Sequence, residues 1–339
     1  MWKSCEIFNQ GSKLIGQNLP NGVRGATINA IGSSLPELIT ALLFFIILNE
    51  SSDGISAALG TVIGSAVFNI LIIPSIVISI LIKKNHNLNI KKNLILRDGL
   101  ILLFVQFFLF KALKDNIISL GESTTLFCLY IFYIALLFLQ NRSTEKKPKL
   151  SKFEIIEGWK KIIIGGVIAA IGCWLCVHAC EALSQKEWHL PFKLASGKSF
   201  PGLNISIGIT ALFVAAAASS LPDLFLSAID AKQGHVDDAL SNPLGSNIFD
   251  LCVAFTIPLI IYTIINGEIN LKNTQNINEL QYFIVLMIFI TITFLASTLF
   301  WKINKFHFLH VLFFVFLFLM FVFFIFQSDS LNDILAFYL

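Results

Sequence analysis

Three acidic side chains lie within long apolar stretches of the sequence: Glu37, Asp223 and Asp250. An ionised carboxylate at the centre of a bilayer costs at least about 2.5 kcal/mol on membrane-insertion scales, so each acid requires a compensating interaction. A hydrogen bond between helices would explain a single acid of this kind. Three acids, each with hydroxyl-bearing neighbours, instead indicate a site that binds a cation.

Serines and an amide are spaced so that they share a helix face with one another or with these acids. Ser33 and Glu37 are four residues apart, as are Ser65 and Asn69, and such pairs lie on one side of an α-helix. Hard oxygen ligands of this type suit Ca²⁺, Na⁺ and K⁺ rather than Zn²⁺ or Cu²⁺, and several carboxylates favour a divalent ion. The predicted ligands are Ser33, Ser34, Glu37, Ser65, Asn69, Ser219, Ser220, Asp223, Ser246 and Asp250.

The acids belong to a pair of repeated motifs. Residues 33–38 read Ser-Ser-Leu-Pro-Glu-Leu, and residues 219–224 read Ser-Ser-Leu-Pro-Asp-Leu. Residues 64–69 read Gly-Ser-Ala-Val-Phe-Asn, and residues 245–250 read Gly-Ser-Asn-Ile-Phe-Asp. The two motifs keep the same order in each half, which indicates an internal duplication.

The apolar stretches around the motifs are long enough to cross a membrane. Hydrophobic residues make up 56% of the 339 residues and charged residues only 13%, about half the charged fraction of a soluble domain, which excludes a soluble or disordered chain. We predict nine full membrane-spanning helices, because each span needs about 20 apolar residues. They cover residues 23–48, 54–82, 94–113, 121–140, 159–183, 205–230, 238–265, 280–300 and 307–327. Residues 1–20 are too polar for a tenth span, and we interpret them as a stub of the first helix.

The number of spans between the motif copies determines their relative orientation. From the helix with Glu37 to the helix with Asp223 the chain advances by an odd number of predicted spans, so the second copy is inverted in the bilayer. Inverted repeats with discontinuous helices are typical of secondary transporters, which bind substrate near the membrane midplane. Pro36 and Pro222 interrupt the helical hydrogen bonding there and free carbonyl groups. The predicted fold class is therefore an all-α polytopic membrane protein with an inverted repeat.

The basic residues indicate which side faces the cytoplasm. Loops 83–97 and 141–161 contain half of the 24 Lys and Arg residues and are two spans apart, so they share a side that we predict to be cytoplasmic. A net charge of +3 gives no indication of a nucleic-acid partner. The expected partners are inorganic cations and the lipid bilayer. A monomer is expected to suffice for function. The predicted location is the cell membrane, with an organelle membrane as the alternative.

Small residues within the spans are predicted to serve helix packing. The six cysteines lie mostly in apolar runs and are interpreted as small buried side chains rather than disulfides. Cys173 and Cys176 form a CxxC pair without a second pair or a suitably spaced His. Gly60, Gly64 and Gly245 are expected to allow close helix approach.

The paired motifs resemble the α-repeats of the calcium/cation antiporter superfamily, which includes the sodium/calcium exchangers. The sequences GTVIGSAVFNIL at 60–71, SSLPDLFLSAIDAKQG at 219–234 and GSNIFD at 245–250 are most similar to its potassium-dependent branch. The resemblance covers about 23–82 and 205–265, and elsewhere only the number of spans and the placement of loops agree.

This resemblance implies a ten-helix, sodium/calcium exchanger-like fold with ion sites between the four repeat helices. It implies exchange of Ca²⁺ for Na⁺, with or without K⁺, by alternating access. Glu37 and Asp223 would then hold Ca²⁺. Asn69, Asp250 and the motif serines would complete overlapping Ca²⁺ and Na⁺ sites. No prosthetic group and no enzymatic activity are expected.

The chain is predicted to divide into a first membrane repeat at 1–140, a short cytoplasmic loop at 141–158 and a second membrane repeat at 159–339.

The expected organisation departs from that of the family in three places. The loop is too short for the calcium-sensing domains of some animal exchangers, and the connection 184–204 is longer than usual. In this family the first helix and a second helix slide together across the ion-binding core. Because only a stub of the first helix is predicted here, transport by this chain is in question.

The same residues also allow three alternative functional hypotheses. A calcium/proton exchanger could use the same acids, although serine hydroxyls coordinate Na⁺ and contribute nothing to binding a proton. A non-transporting homologue would bind cations without alternating. An intramembrane aspartyl protease also places two acids on facing helices, but its Gly-x-Gly-Asp motif does not occur at Asp250, which follows Asn247-Ile248-Phe249.

Overall fold

A computed structural model shows a helical protein whose described residues contain nine helices that are long and apolar enough to cross a membrane. The described residues are 2–16, 23, 25–48, 52–84, 91–140, 151–189, 199–203, 205–271, 277–300 and 308–338. The nine spans are Ala26–Ile47, Asp53–Lys83, Lys92–Ala112, Leu120–Leu139, Lys152–Ser184, Ile207–Lys232, Val236–Asn266, Leu280–Thr298 and Phe308–Ile325. This confirms the predicted polytopic fold class.

Several spans are built from consecutive α- and π-helical pieces. The helices are α1 (Trp2–Gly16), π1 (Gly25–Asn29), α2 (Ala30–Ser33), α3 (Leu35–Ile47), α4 (Ser52–Lys83), α5 (Lys92–Ala112), α6 (Leu120–Gln140), α7 (Lys152–Ser184), α8 (Ile207–Thr210), π2 (Ala211–Ala215), α9 (Ala216–Ser219), α10 (Leu221–Lys232), α11 (Val236–Phe249), π3 (Asp250–Ala254), α12 (Thr256–Asn266), α13 (Ile277–Phe300) and α14 (Phe308–Tyr338). The strands are β1 (Ile117–Ile118), β2 (Glu187–His189), β3 (Ser199–Pro201) and β4 (Ile269–Asn270).

Helix α7 begins seven residues before the predicted start at residue 159. Ser151 is the N-cap residue: its hydroxyl accepts from the Glu154 backbone N–H at 3.2 Å, and the Glu154 carboxylate accepts from the Ser151 N–H at 2.8 Å. Such a capping box satisfies the first N–H groups of a helix. The helix therefore starts in polar sequence, and the expectation that residues 152–158 belong to a loop is wrong. Residues 141–150 lie outside the described part of the chain.

Two short antiparallel strand pairs were not predicted. β1 pairs with β4, which joins the connection after α5 to the connection after α12. β2 pairs with β3 within the long connection that follows α7, of which residues 190–198 and 204 lie outside the described part. The β1–β4 pair requires both connections to lie on one side of the membrane, which the predicted span order also requires.

An ion pair supports the same span order on the opposite side. Lys91 Nζ lies 3.0 Å from Asp237 Oδ2, which links the segment before α5 to the first turn of α11. The grouping of these connections is therefore confirmed, and the assignment of this side to the cytoplasm stays a prediction.

The first helix of each repeat is interrupted in the same two ways. A π-helical stretch, π1 or π2, lies the same number of residues before Glu37 as before Asp223. The helix then breaks at Ser34 and at Ser220, and Pro36 or Pro222 occupies the first turn of the next helix. A proline is tolerated there because its missing N–H is not needed. The two repeats thus share the local irregularities as well as the motifs.

Glycines of the second motif bring the two repeats into contact. Gly64 on α4 faces the carbonyl oxygen of Leu212 in π2. A Cβ placed at Gly245 on α11 would lie 2.8 Å from the carbonyl oxygen of Ala26 in π1. Each repeat therefore packs its second motif helix against the π-helix of the other repeat. The expectation that Gly64 and Gly245 permit close packing is confirmed, as it is for Gly60, which faces the Gly208 carbonyl.

We expect Gly64→Ala to destabilise the fold. The added methyl group would meet the Leu212 backbone, which cannot rotate away, and the Ala216 methyl group at 2.7 Å. Overpacking of this kind costs about 1–3 kcal/mol, so the melting temperature in detergent should fall. Gly166→Ala is the matched control, because a Cβ there meets nothing within 4 Å. Equal melting temperatures for the two variants would contradict the packing argument.

Helix α1 packs antiparallel along α7. A Cβ at Gly165 would lie 2.9 Å from the Ser4 carbonyl oxygen, and one at Gly11 would lie 2.6 Å from the Gly158 carbonyl oxygen. The 15 residues of α1 extend about 22 Å at 1.5 Å per residue, which is shorter than a full span. The predicted short first helix is therefore present and packs on α7, the first helix of the predicted second repeat.

Most of the cysteines whose side chains the structure describes are buried or half-buried, in agreement with the packing interpretation. Cys173, Cys180 and Cys252 are buried and Cys176 is half-buried. Cys128 is exposed on α6, so the expectation of burial is wrong for this residue. The side chain of Cys5 lies outside the described residues.

Candidate cation-binding site

The helix breaks of both repeats and the second-motif helices meet in the protein interior. All ten predicted ligands come together there, and each is at most 1% exposed. The breaks contribute the paired serines, α4 contributes Ser65 and Asn69, and α11 contributes Ser246. Asp250 is the first residue of π3. An inverted repeat thus assembles, from distant parts of the sequence, one cluster of oxygen atoms.

The carboxylate of Asp223 is surrounded by hydrogen-bond donors. Ser246 Oγ donates to Asp223 Oδ1 at 2.6 Å, and Asn69 Nδ2 donates to Oδ2 at 3.0 Å. Asn242 Nδ2 lies 3.4 Å from Oδ1. Ser246 also lies 3.4 Å from Ser33, which joins the first repeat to this group. These bonds fix the orientation of the carboxylate.

Glu37 and Asp250 share one hydroxyl donor. Ser65 Oγ lies 3.4 Å from Glu37 Oε1 and 3.2 Å from Asp250 Oδ2. Its single proton can serve one of these acceptors at a time. Ser220 Oγ donates to Ser65 Oγ at 2.9 Å, and Ser219 lies beside Glu37. This half of the cluster is therefore short of donors.

Four of the predicted ligand oxygens are buried without a hydrogen-bond partner among the described residues. They are Ser34 Oγ, Glu37 Oε2, Asn69 Oδ1 and Asp250 Oδ1. A buried oxygen without a partner costs about 1–3 kcal/mol, and more when it is charged. Oxygen atoms of these kinds are the ligands that hard metal ions prefer, so the chemistry of the set fits such ions.

The electrostatic balance of the cluster also favours a cation. Within the described residues, the side chains of Lys, Arg and His form no ion pair with Glu37, Asp223 or Asp250. Charges removed from water without a partner are strongly destabilised. The described chain contains no group of three or more His, Cys, Asp and Glu side chains arranged as a metal site. A cation here would therefore depend on neutral hydroxyl and amide oxygens as well as carboxylates.

Two amides at the site escaped prediction. Asn247 accepts from Asn69 Nδ2 at 3.0 Å and donates to the Ala66 carbonyl oxygen at 3.0 Å. With Asp223 accepting from the same Asn69 nitrogen, the Asn69 oxygen is the atom left for a ligand. The repeated second motif could have identified Asn247 as a site residue, because Asn247 lies inside that motif. Asn242 lies outside both motifs.

The two repeats differ where the second motif ends. Asn69 lies within the continuous helix α4, whereas Asp250 opens the π-helix π3. Single π-helical turns occur frequently at functional sites. The duplication therefore supplies one neutral and one acidic candidate ligand in different backbone environments.

This combination of fold and site defines a class of membrane cation transporters. Residues 1–139 and 158–327 match the family described as sodium/calcium exchanger protein, and the chain belongs to that family. The sodium-calcium exchanger NCX_Mj, in a structure soaked with 2.5 mM Na⁺ and 0.1 mM Sr²⁺, superposes with a TM-score of 0.63. The match covers 94% of this chain and 92% of NCX_Mj at 22% sequence identity, which shows the same fold.

Relatives in sequence include proteins of similar length and much longer ones. The inner membrane protein YrbG of Escherichia coli is 24% identical over 243 residues, 72% of this chain and 70% of YrbG. An uncharacterized membrane protein of Methanocaldococcus jannaschii is 28% identical over 259 residues, 74% of this chain and 75% of that protein. Sodium/potassium/calcium exchanger 2 of Gallus gallus is 38% identical over 106 residues. That alignment covers 31% of this chain and only 16% of the chicken exchanger.

Proposed function

We propose that the chain is a secondary active antiporter that exchanges Ca²⁺ for Na⁺ across the membrane by alternating access. One observation carries the proposal: four buried ligand oxygens without a partner lie among three carboxylates, where two inverted repeats meet. A site of this kind attracts cations and can be opened from either side by related movements of the repeats. The role is that of a transporter and not of an enzyme.

The ligands divide into two roles. Glu37 and Asp223 replace the hydration shell of Ca²⁺, which prefers six to eight oxygen ligands with carboxylates among them. Asn69, Asp250 and the motif serines complete overlapping sites for Ca²⁺ and Na⁺. Buried hydroxyls next to the acids support Na⁺ as the counter-ion over H⁺, because a proton needs no coordination shell.

Two finer assignments rest on the relatives. The chicken relative is named as a sodium/potassium/calcium exchanger, and an acid at Asp250 allows K⁺ to be carried with Ca²⁺. The Escherichia coli relative is named as an inner membrane protein, which supports the cell membrane as the location. One copy of the chain contributes the whole ligand set, so a monomer suffices for exchange.

Calcium uptake into proteoliposomes tests the proposal. Vesicles loaded with Na⁺ and diluted into Na⁺-free medium should accumulate ⁴⁵Ca²⁺, and vesicles loaded with choline should not. Uptake driven by an outward H⁺ gradient and indifferent to Na⁺ would assign a calcium/proton exchanger instead. Binding of Ca²⁺ without uptake under any gradient would identify a non-transporting homologue.

A further inference from the structure

A polar cavity of about 250 Å³ lies where the start of α4, the end of α7 and the start of α8 meet. Two acids line it, Asp53 from the first turn of α4 and Glu181 from the end of α7. Three serines and Gln185 also line it, and none of its described lining residues is Lys or Arg. The cavity is therefore lined by oxygen atoms and by negative charge.

This cavity is separate from the cation site in the protein interior. Ser56, which lines the cavity, precedes Ser65 of the cation site by nine residues on α4. Nine residues of helix correspond to about 13 Å along its axis. The loop 83–97, which is predicted to be cytoplasmic, follows the other end of α4. The cavity therefore lies at the predicted outer face of the membrane.

A buried serine hydroxyl without a partner faces the cavity. Ser56 is only 4% exposed and lines the cavity, yet its Oγ makes no hydrogen bond with the described residues. Ser75 and Ser79 on the same helix instead donate to the carbonyl oxygen four residues earlier. Gly208 keeps the hydroxyl accessible, because a Cβ there would lie 2.6 Å from Ser56 Oγ. The Ser56 oxygen is thus free to bind a ligand in the cavity.

The two acids keep their charge available to a ligand. Asp53 is exposed and forms no ion pair with a Lys, Arg or His side chain of the described chain. Glu181 Oε2 lies 3.1 Å from His178 Nδ1, which cancels its charge only when the imidazole is protonated. Gln185 Nε2 lies 3.5 Å from Glu181 Oε1 and is neutral. The exposed Lys186 pairs with neither acid.

A purely structural role for these acids must be weighed. Asp53 stabilises the positive end of the α4 dipole, and Glu181 is bonded within its own helix. Water in the cavity would satisfy the Ser56 hydroxyl. Neither role accounts for two acids from different helices that line one cavity without a basic residue, since like charges repel. A divalent cation would turn this repulsion into attraction.

We propose that this outer cavity binds one Ca²⁺ ion, held by the carboxylates of Asp53 and Glu181 and by Ser56 Oγ. Ca²⁺ takes six to eight oxygen ligands. The described side chains form no group of three or more acids, His and Cys suited to a metal, so the ion keeps part of its water shell. Affinity in the range of extracellular calcium modules, with a Kd of about 0.1–1 mM, is expected. The bound ion ties α4 to α7 and is independent of the antiport proposal.

Thermal unfolding of the full chain in detergent tests this site, with Ca²⁺ titrated at constant ionic strength. An ion that binds only the folded state stabilises it, so Ca²⁺ at ten times its Kd should raise the melting temperature by about 2 °C. This millimolar step should persist in Glu37→Gln, which changes the interior site and leaves the outer cavity intact. Loss of the step in Glu37→Gln would assign it to the interior site and overturn the inference.

Charge and shape variants locate the step. Asp53→Asn and Glu181→Gln should each raise the Kd of the step about thirtyfold, because a divalent ion interacts strongly with a unit charge about 4 Å away even in water. Gly208→Ala alters no charge and displaces the Ser56 hydroxyl from the cavity. It should raise the Kd about fivefold, the contribution of one neutral ligand.

Asp115→Asn is the matched control, since it removes an exposed carboxylate outside the spans and the cavity. It should keep the wild-type Kd for the millimolar step. Absence of the step in the wild type, or an unchanged Kd in both Asp53→Asn and Glu181→Gln, would overturn the outer site. Uptake of ⁴⁵Ca²⁺ by proteoliposomes decides the antiport function separately, so the two proposals can fail independently.

Discussion

Replacing Glu37 by Gln, or Asp223 by Asn, is expected to abolish Ca²⁺ uptake driven by an outward Na⁺ gradient. Each change keeps the size of the side chain but removes one buried charge that, in the proposed function, replaces the hydration shell of Ca²⁺. Asp223 is oriented by Ser246 and Asn69, whose hydrogen bonds an amide can satisfy only in part. Uptake of ⁴⁵Ca²⁺ into proteoliposomes measures the effect.

The amount of folded protein in the membrane should not fall in either variant, because the lost charges form no ion pair with a Lys, Arg or His side chain in the described part of the chain. Asp115→Asn is a suitable control, since it makes the same chemical change at an exposed carboxylate outside the spans. It should transport like the wild type. Wild-type flux in Glu37→Gln or Asp223→Asn would show that the site has been misassigned.

Asp250→Asn is expected to remove the dependence of exchange on K⁺ while leaving exchange itself intact. The three acids carry three negative charges when ionised, and Ca²⁺ supplies two positive ones. An unbalanced charge in a buried site is costly, so the loaded site should take up a further monovalent cation. The variant leaves two charges that Ca²⁺ can neutralise alone, and it places at residue 250 the same neutral side chain that the first repeat has at Asn69.

Calcium flux measured against K⁺ concentration at two pH values checks this expectation. The wild type should require K⁺, and the variant should not respond to it. The competing explanation is that Asp250 carries a proton when Ca²⁺ binds. A wild type that is indifferent to K⁺ but sensitive to pH would exclude the potassium assignment and support the proton.

Sequence alone was sufficient to predict that ten of the side chains at the site come together. The repeated motifs placed two sets of acids and serines at matching positions, and an odd number of intervening spans required inversion. Duplication and burial of charge are properties of residue type and order, so they can be read without coordinates. Asn242 was missed because its contact with Asp223 depends on how α10 and α11 pack, which no spacing along the chain reveals.

Other features depend on interactions that a hydropathy pattern does not contain. The early start of α7 is determined by the bonds between Ser151 and Glu154 within a charged segment. The β1–β4 pair forms between connections that are distant in sequence, and each of its strands is only two residues long. The π-helices π1 and π2 lie where the backbone packs against Gly245 and Gly64 of the other repeat, a contact between segments that are distant in sequence.

The crossed glycine contacts have a consequence for how the molecule can move. α4 of the first repeat packs closely against π2 of the second, and α11 of the second packs closely against π1 of the first. Neither repeat can therefore move as a separate rigid body. The units defined by gene duplication are therefore not the units of motion. In the proposed exchange cycle we expect displacement between this interlocked centre and the helices around it, among them the antiparallel pair α1 and α7.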